Sequence, residues 1–342
     1  KDNTYQKVFT AFSNNKKVSV LTKPNGGKAS ALNYGISHAK NDFVVCIDAD
    51  TQLKHDALTW LMKRFAILPG SKHADEIIGA VAGNVKVGNE HTLLTKWQSI
   101  EYTTAQNFDR RAFDLINGIT VVPGAIGAFR KEAVEKAGGF TTDTLAEDCD
   151  LTIRILRSGY RVVNCTEAIA VTEAPETLRQ FMKQRFRWSY GIMQSFWKNR
   201  DACFNPTYKG LGMVALPNVL LFQIILPVLA PLADVMLILS LVWNRHDPAS
   251  MNKIGWYYLV FLLVDVLVSI VAFAFEKEKM SRLVWLIPQR FVYRQLMYIT
   301  LFRSIRKAIK GENQGWGVLK RTGNVKQTTT RLAENVKAGA EV

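Results

Sequence analysis

Cysteine is scarce in this chain and none of it is clustered: Cys46, Cys149, Cys165 and Cys203 stand far apart, with no Cys-x-x-Cys spacing. That excludes a zinc module or a disulfide framework as the organising feature, and it fits buried thiols in a reducing cytoplasm. Acidic residues are outnumbered, 29 against 44 Lys and Arg, which leaves a formal net charge of +15. No internal repeat is present. A long apolar run is also missing until after Gly210, so residues 1–200 read as one domain of ordinary size and the rest as something different.

Beyond Gly210 the chain turns strongly apolar. Residues 211–243 carry Asp234 as their only charge, and residues 254–275 carry only Asp265. About 20 apolar residues are enough to span a bilayer, so two spans are expected within a membrane region at 201–302. A third stretch, 283–302, contains Pro288, Arg290 and Arg294. Arginine at bilayer depth is costly, which favours an amphipathic helix lying at the interface; a third span with its arginines turned toward protein is the alternative. Basic residues flank the region, from Lys183 to Arg200 before it and from Arg303 to Arg321 after it. Positive flanks mark the cytoplasmic side. The first domain and the basic tail at 303–342 are therefore both expected in the cytoplasm, as parts of a multi-pass cell-membrane protein. The charge excess lies beside lipid and requires no nucleic acid partner.

Within 1–200, short β-rich runs alternate with helical ones. Residues 17–21, 43–47, 79–87, 125–130 and 160–165 read as strands, the second as one buried on both faces. Residues 28–39, 93–113, 151–157 and 175–198 read as helices. Alternation of this kind predicts an α/β fold with a mainly parallel sheet layered with helices.

Chemistry-bearing residues sit at the joints of this pattern. Asp48 and Asp50 close the 43–47 strand, where open α/β sheets bind ligands. Two carboxylates one residue apart can share a hard cation, Mg²⁺ or Mn²⁺, with substrate phosphates; a solvated turn is the plainer reading of Asp-x-Asp. Gly26-Gly27-Lys28 opens a helix and lets a phosphate approach backbone N–H groups, although it lacks Walker spacing and a simple turn has the same form. Glu147-Asp148 stands at the start of a helix, where Asp148 can act as a base or merely as an N-cap, with Asp150 the more cap-like of the acids. Gln184, Arg187 and Trp188 fall on one helix face. An arginine there can hold a diphosphate and an indole can stack on a sugar; alternatively, the segment is a membrane-flanking aromatic and basic belt.

Taken in order, Pro24 to Ala29, Asp48-Ala49-Asp50, Gly124 to Arg130, Gly138-Gly139-Phe140, Glu147-Asp148 and Gln184 to Trp188 resemble the catalytic domain of processive family 2 glycosyltransferases. These include the poly-N-acetylglucosamine, chitin, hyaluronan and cellulose synthases. The resemblance implies a GT-A-type fold and a membrane-bound, inverting, metal-dependent enzyme. Such an enzyme polymerises a UDP-sugar, here UDP-N-acetylglucosamine, into a β-linked polysaccharide and translocates it. Its partners would be the UDP-sugar donor, the growing polysaccharide acceptor and the lipid bilayer. A single-addition transferase loading one sugar onto a polyprenyl phosphate is the alternative. In the family pattern Lys28, Asp48 and Asp50 bind the nucleotide sugar, with Asp48 and Asp50 as metal ligands. Asp148 is the catalytic base beside Glu147, and Gly124, Gln184, Arg185, Arg187 and Trp188 bind acceptor and diphosphate. The tail's Gly315-Trp316-Gly317 to Arg321 resembles a Trp-Gly gating loop, which makes Trp316 and Arg321 a candidate gate; a solvated tail is the alternative. The family's first strand ends in an Asp-Asp-Gly-Ser motif that grips uridine, and Lys1-Asp2-Asn3-Thr4 reads like the residues next to that motif on its C-terminal side.

Overall fold

Apart from Asn84 and Lys86, apolar and small side chains fill 78–87, and this run becomes the middle of the sheet, as a strand covered on both faces requires. A computed structural model describes residues 3–66 and 76–310. The candidate gate at Trp316 and Arg321 lies outside the described residues. In chain order the first domain contains α1 (Thr4–Phe12), α2 (Gly27–His38), β1 (Phe43–Ile47), β2 (Gln52–Leu53), α3 (Ala57–Phe65), β3 (Ile78–Val87), α4 (Leu93–Glu101), α5 (Phe108–Asp114), β4 (Ile126–Arg130), α6 (Lys131–Lys136), α7 (Glu147–Arg157), β5 (Arg161–Thr172) and α8 (Leu178–Lys198). A π-helical turn, Tyr102–Asn107, joins α4 to α5.

The strand order is β1-β4-β3-β5-β2. Layering of sheet and helices is as expected, but the expectation of a mainly parallel sheet needs correction. Only β3 and β5 pair in parallel; β1–β4, β3–β4 and β2–β5 are antiparallel. Strand–helix alternation in sequence does not fix strand order, and β4 returns between β1 and β3 with its direction reversed. β1 lies at an edge of the described sheet, half-buried rather than covered on both faces. Residues 17–21, expected as a strand, form none. β5 runs on to Thr172, well past the expected end, because its register on β3 jumps between Cys165 and Ile169. The polar Thr166-Glu167 sits in that bulge and masks the continuation.

The membrane-type part is helical throughout. Residues Leu211–Ala215 and Val219–Ile225 are π-wound around the short α9 (Leu216–Asn218) and lead into α10 (Leu226–Trp243). After α11 (Pro248–Phe275) comes α12 (Leu286–Ile309). Two helices, Leu211–Trp243 and Pro248–Phe275, are long and apolar enough to cross a membrane. Their side chains, among them Leu232, Ile238, Leu263 and Leu267, face outward, as a lipid-facing surface requires. Each of these helices holds its one acid against α12. Arg290 Nε donates to Asp265 Oδ2 at 2.7 Å, and Arg294 pairs with Asp234. The arginines that made 283–302 costly for a span are thus matched one to one with the acids of the two apolar helices.

A buried carboxylate fastens the end of α11 to the sheet. Glu276 has a side chain with no exposure and accepts from Asn84 Nδ2 at 2.8 Å, Lys86 Nζ at 3.1 Å and Arg111 Nε at 2.7 Å. Burial alone would raise its pKa; Lys86, Arg111 and Asn84 outweigh burial and hold it below the ordinary carboxylate range. Glu276→Ala takes away the carboxylate partner of Arg111 and one of the two of Lys86, which keeps Glu278 at 2.7 Å. The expected loss is roughly 3 kcal/mol of stability, read by denaturant unfolding in detergent micelles. A loss within the range of exposed pairs, under about 1 kcal/mol, would show that the clamp does not fasten the two parts.

Candidate active site

The site forms where β1 ends and α7 begins. Lys28, one residue into α2, reaches Asp48 Oδ1 at 2.7 Å and Glu147 Oε1 at 3.4 Å. Gly124 N–H donates to Asp148 Oδ2 at 3.3 Å. A Cβ at position 124 would collide with the Lys28 ammonium, so glycine is what admits the lysine between the acids. Asp148 Oδ1 accepts from the N–H of Cys149 at 2.9 Å, and the Asp148 carbonyl accepts from Thr152 Oγ1 at 2.6 Å. Thr152 in turn accepts from Val122 N–H at 2.9 Å, which ties Asp148 to the loop before β4. Lys28, Asp48, Gly124, Glu147 and Asp148, drawn from four separate motifs, are therefore one constellation. Asp50 is half-buried two residues beyond Asp48.

Asp148 is not the N-cap of α7. Ala146 occupies that position without a side-chain cap. Nor does Asp150 cap the helix: it is fully buried and accepts from Thr141 at 2.9 Å, Arg154 Nε at 2.9 Å and Lys198 at 3.0 Å. The cap-like acid is instead a hub that joins α7 to the end of α8.

Two carboxylates at a strand end fit a hard cation that completes its shell with phosphate oxygens and water. Among the described residues, no group of three or more His, Cys, Asp or Glu side chains could hold a metal by itself. Asp48 and Asp50 therefore form no closed protein cage among the described residues.

Helix α8 carries the Gln-x-x-Arg-Trp segment and packs on the loop that presents the acids. A Cβ on Gly191 would lie 2.6 Å from the Ala146 nitrogen, and Gln194 Oε1 accepts from Leu145 N–H at 2.9 Å. Sequence reasoning misses Gly191, because a helical glycine carries no signal of what approaches it. Gln184 is buried, and its Oε1 has no hydrogen-bond partner among the described residues. Arg187 and Trp188 are half-buried. Arg185 departs from the expected role. It is 1% exposed and pairs with Glu101 of α4, so its charge is held inside the protein and not offered to a diphosphate.

Residues 43–300 match the family model described as glycosyl transferase family group 2. The chain belongs to this family. It is 28% identical over 328 residues to a poly-β-1,6-N-acetyl-D-glucosamine synthase of Staphylococcus aureus (strain COL), covering 84% of this chain and 78% of that protein. The synthase of the same name from Staphylococcus epidermidis is 31% identical over 200 residues, 57% of this chain and 47% of that one. Among solved structures, the mannosyltransferase PcManGT from Pyrobaculum calidifontis, in complex with GDP-Man and Mn²⁺, aligns with a TM-score of 0.58 at 20% identity, covering 92% of this chain and 76% of that one. That likeness shows the GT-A-type fold expected from the motifs.

In this glycosyltransferase Glu147 and Asp148 differ sharply in surroundings. Burial, reinforced by the charge of Asp148 and opposed by Lys28, raises the Glu147 pKa from 4.5 to about 7. Its Oε2 is buried without a hydrogen-bond partner among the described residues. For Lys28 the balance runs the other way: burial would lower its pKa, but Asp48, Glu147 and Asp148 together hold it above the ordinary range. A carboxyl raised on folding stabilises the fold below its unfolded pKa, and that stabilisation is lost as pH rises through the folded value. Relative to Glu147→Gln, the parent chain is therefore expected to lose stability between pH 4.5 and about 7 and to change little above. Thermal unfolding of both proteins across that window tests this; parallel curves would mean that Glu147 titrates normally.

Proposed function

We propose that this chain polymerises a UDP-sugar, UDP-N-acetylglucosamine by its likeness to the synthases, into a β-linked polysaccharide at the inner face of the cell membrane and passes the product across. The observation that carries this reading is the convergence of Lys28, Asp48, Gly124, Glu147 and Asp148 in one place, beside the helix bearing Gln184, Arg187 and Trp188.

Each residue then has a task. Lys28 meets the nucleotide sugar's phosphates, and Asp48 and Asp50 would hold Mg²⁺ or Mn²⁺ against the diphosphate, where such an ion supplies charge neutralisation for the leaving group. Asp148 removes the proton from the acceptor hydroxyl. The hydroxyl oxygen bonds to the anomeric carbon on the face opposite the diphosphate, and the bond from that carbon to the phosphate oxygen breaks with its electrons leaving on UDP. The centre inverts. Glu147, holding its proton up to about pH 7, lowers the negative charge beside the proposed base. Arg187 and Trp188 are assigned to the diphosphate and the acceptor sugar, and Gln184 offers its buried amide to the same ligands. The start of the first apolar helix, which packs on α8 at 219–225, would give the product a route toward the bilayer.

The two acidic sites are expected to fail differently. Asp50→Asn should abolish transfer even at saturating Mn²⁺ because ligand charge is lost with little change in volume. Asp148→Asn should retain UDP-sugar binding by calorimetry while turnover falls about 10²- to 10⁴-fold. Near-normal transfer by the first variant, or lost donor binding in the second, would reassign these residues. Radiolabelled UDP-N-acetylglucosamine incorporation by membranes tests the whole reading, and product length separates polymerisation from loading of a single sugar onto a polyprenyl phosphate.

A further inference from the structure

We infer that Arg185, Glu101 and Tyr293 form a clamp that positions the Trp188 indole for the acceptor sugar. The inference rests on the functional reading above for the acceptor, but its geometry stands apart from the catalytic acids. The Arg185 guanidinium lies 4.2 Å from the Trp188 ring centroid and 5.1 Å from that of Phe181. It also pairs with Glu101, so it is held by two rings and a carboxylate at once. Its NH2 group donates to the Tyr293 hydroxyl at 3.0 Å, and that hydroxyl bonds Glu101 as well. The three groups are therefore mutually bonded, in a place almost sealed from water.

A guanidinium can be buried when its charge is paired; Arg185 pairs through its NH2 group, while its buried Nε has no hydrogen-bond partner among the described residues. Here the partners come from three helices: Glu101 from α4, Arg185 from α8 and Tyr293 from α12. Cation–π attraction then acts on both rings, and of the two only Trp188 keeps an exposed part, since Phe181 is fully buried while Trp188 packs on the core along one side. Trp188 is only half-buried, with the Tyr102 ring at 6.1 Å. One part of the indole is thus occupied by Arg185 and set in angle, which leaves the remaining surface for a sugar. Tyr293 lies between Arg290 and Arg294, the residues that hold Asp265 and Asp234, so the clamp's α12 member is placed by both apolar helices. Arg185, Glu101 and Tyr293 are positioning residues; none is assigned contact with the reacting atoms.

Tyr293→Phe removes one hydroxyl and keeps the ring packing against Phe181 and Trp97. In the full chain in detergent micelles, the KM for a short β-linked N-acetylglucosamine oligosaccharide should rise on the order of tenfold, the loss of one bond to a charged group. The KM for UDP-N-acetylglucosamine and its hydrolysis without acceptor should not change. Glu101→Gln should move the same parameter in the same direction. A changed donor KM with an unchanged acceptor KM would place the cluster at the diphosphate and overturn the inference. A second readout needs no activity. With 5-fluorotryptophan incorporated, the ¹⁹F resonance that disappears in Trp188→Phe should shift or broaden in Tyr293→Phe, while that of the exposed Trp243 at the end of α10 stays fixed. An unmoved Trp188 resonance would overturn the clamp whether or not the chain polymerises sugar. A parent chain that leaves UDP-N-acetylglucosamine intact, with the resonance shifting as expected, would instead overturn the functional reading and leave the clamp standing.

Discussion

One buried ammonium makes the site possible. Asp48, Glu147 and Asp148 are drawn into a small space at the sheet's edge, and three ionised carboxyls there would repel one another. Two like charges 4 Å apart cost about 4 kcal/mol where the effective dielectric constant is near 20. Lys28 offsets this by pairing with Asp48 at 2.7 Å and Glu147 at 3.4 Å, and Glu147 relieves the rest by holding its proton to about pH 7. A side chain at Gly124 would push the ammonium end of Lys28 aside. An acidic site is thereby kept in a form that tolerates the absence of substrate. A donor that brings its own cation and its own negative phosphates redraws the same balance in the same place.

The second constraint is the close seat of α8 on the loop before α7. Gly191 against Ala146 and Gln194 against Leu145 fix the distance between the acids and the Gln184 to Trp188 segment. The proposed base and acceptor site are thereby parts of one rigid unit. Polymerisation needs this more than single addition does, because each new hydroxyl must return to the same base.

Legibility from sequence tracks the range of the physical signal. Asp48, Asp50, Glu147 and Asp148 are readable because chemistry at a strand end or helix start is a local pattern. Their convergence with Lys28 and Gly124 is not written in any one segment, although the family motifs imply it. Arg185 is misassigned by its adjacency to Arg187. A helical reading separates the two, since Phe181 at i−4 and Trp188 at i+3 bracket Arg185 on its own face and predict a buried stack. Glu101 and Tyr293 give no signal, being 84 and 108 residues away from Arg185 along the chain. For the sheet, the least local features are the illegible ones: the insertion of β4 in reverse, and the bulge at Thr166-Glu167 that hides the second half of β5.

Charge also decides how the membrane-type helices dock. An aspartate in an apolar helix is unfavourable on its own, and so is an arginine in a helix beside it; paired, each reduces the other's cost. Asp234 and Asp265 lie on two different helices, yet their partners are four residues apart on α12, on one face. This geometry selects a single docking of α12 across both apolar helices, since a rotation of one residue would strand both pairs. The same helix packs along α8 through Tyr293, Met297 and Thr300. α12 is therefore the element through which both apolar helices are joined to the helix that holds Trp188.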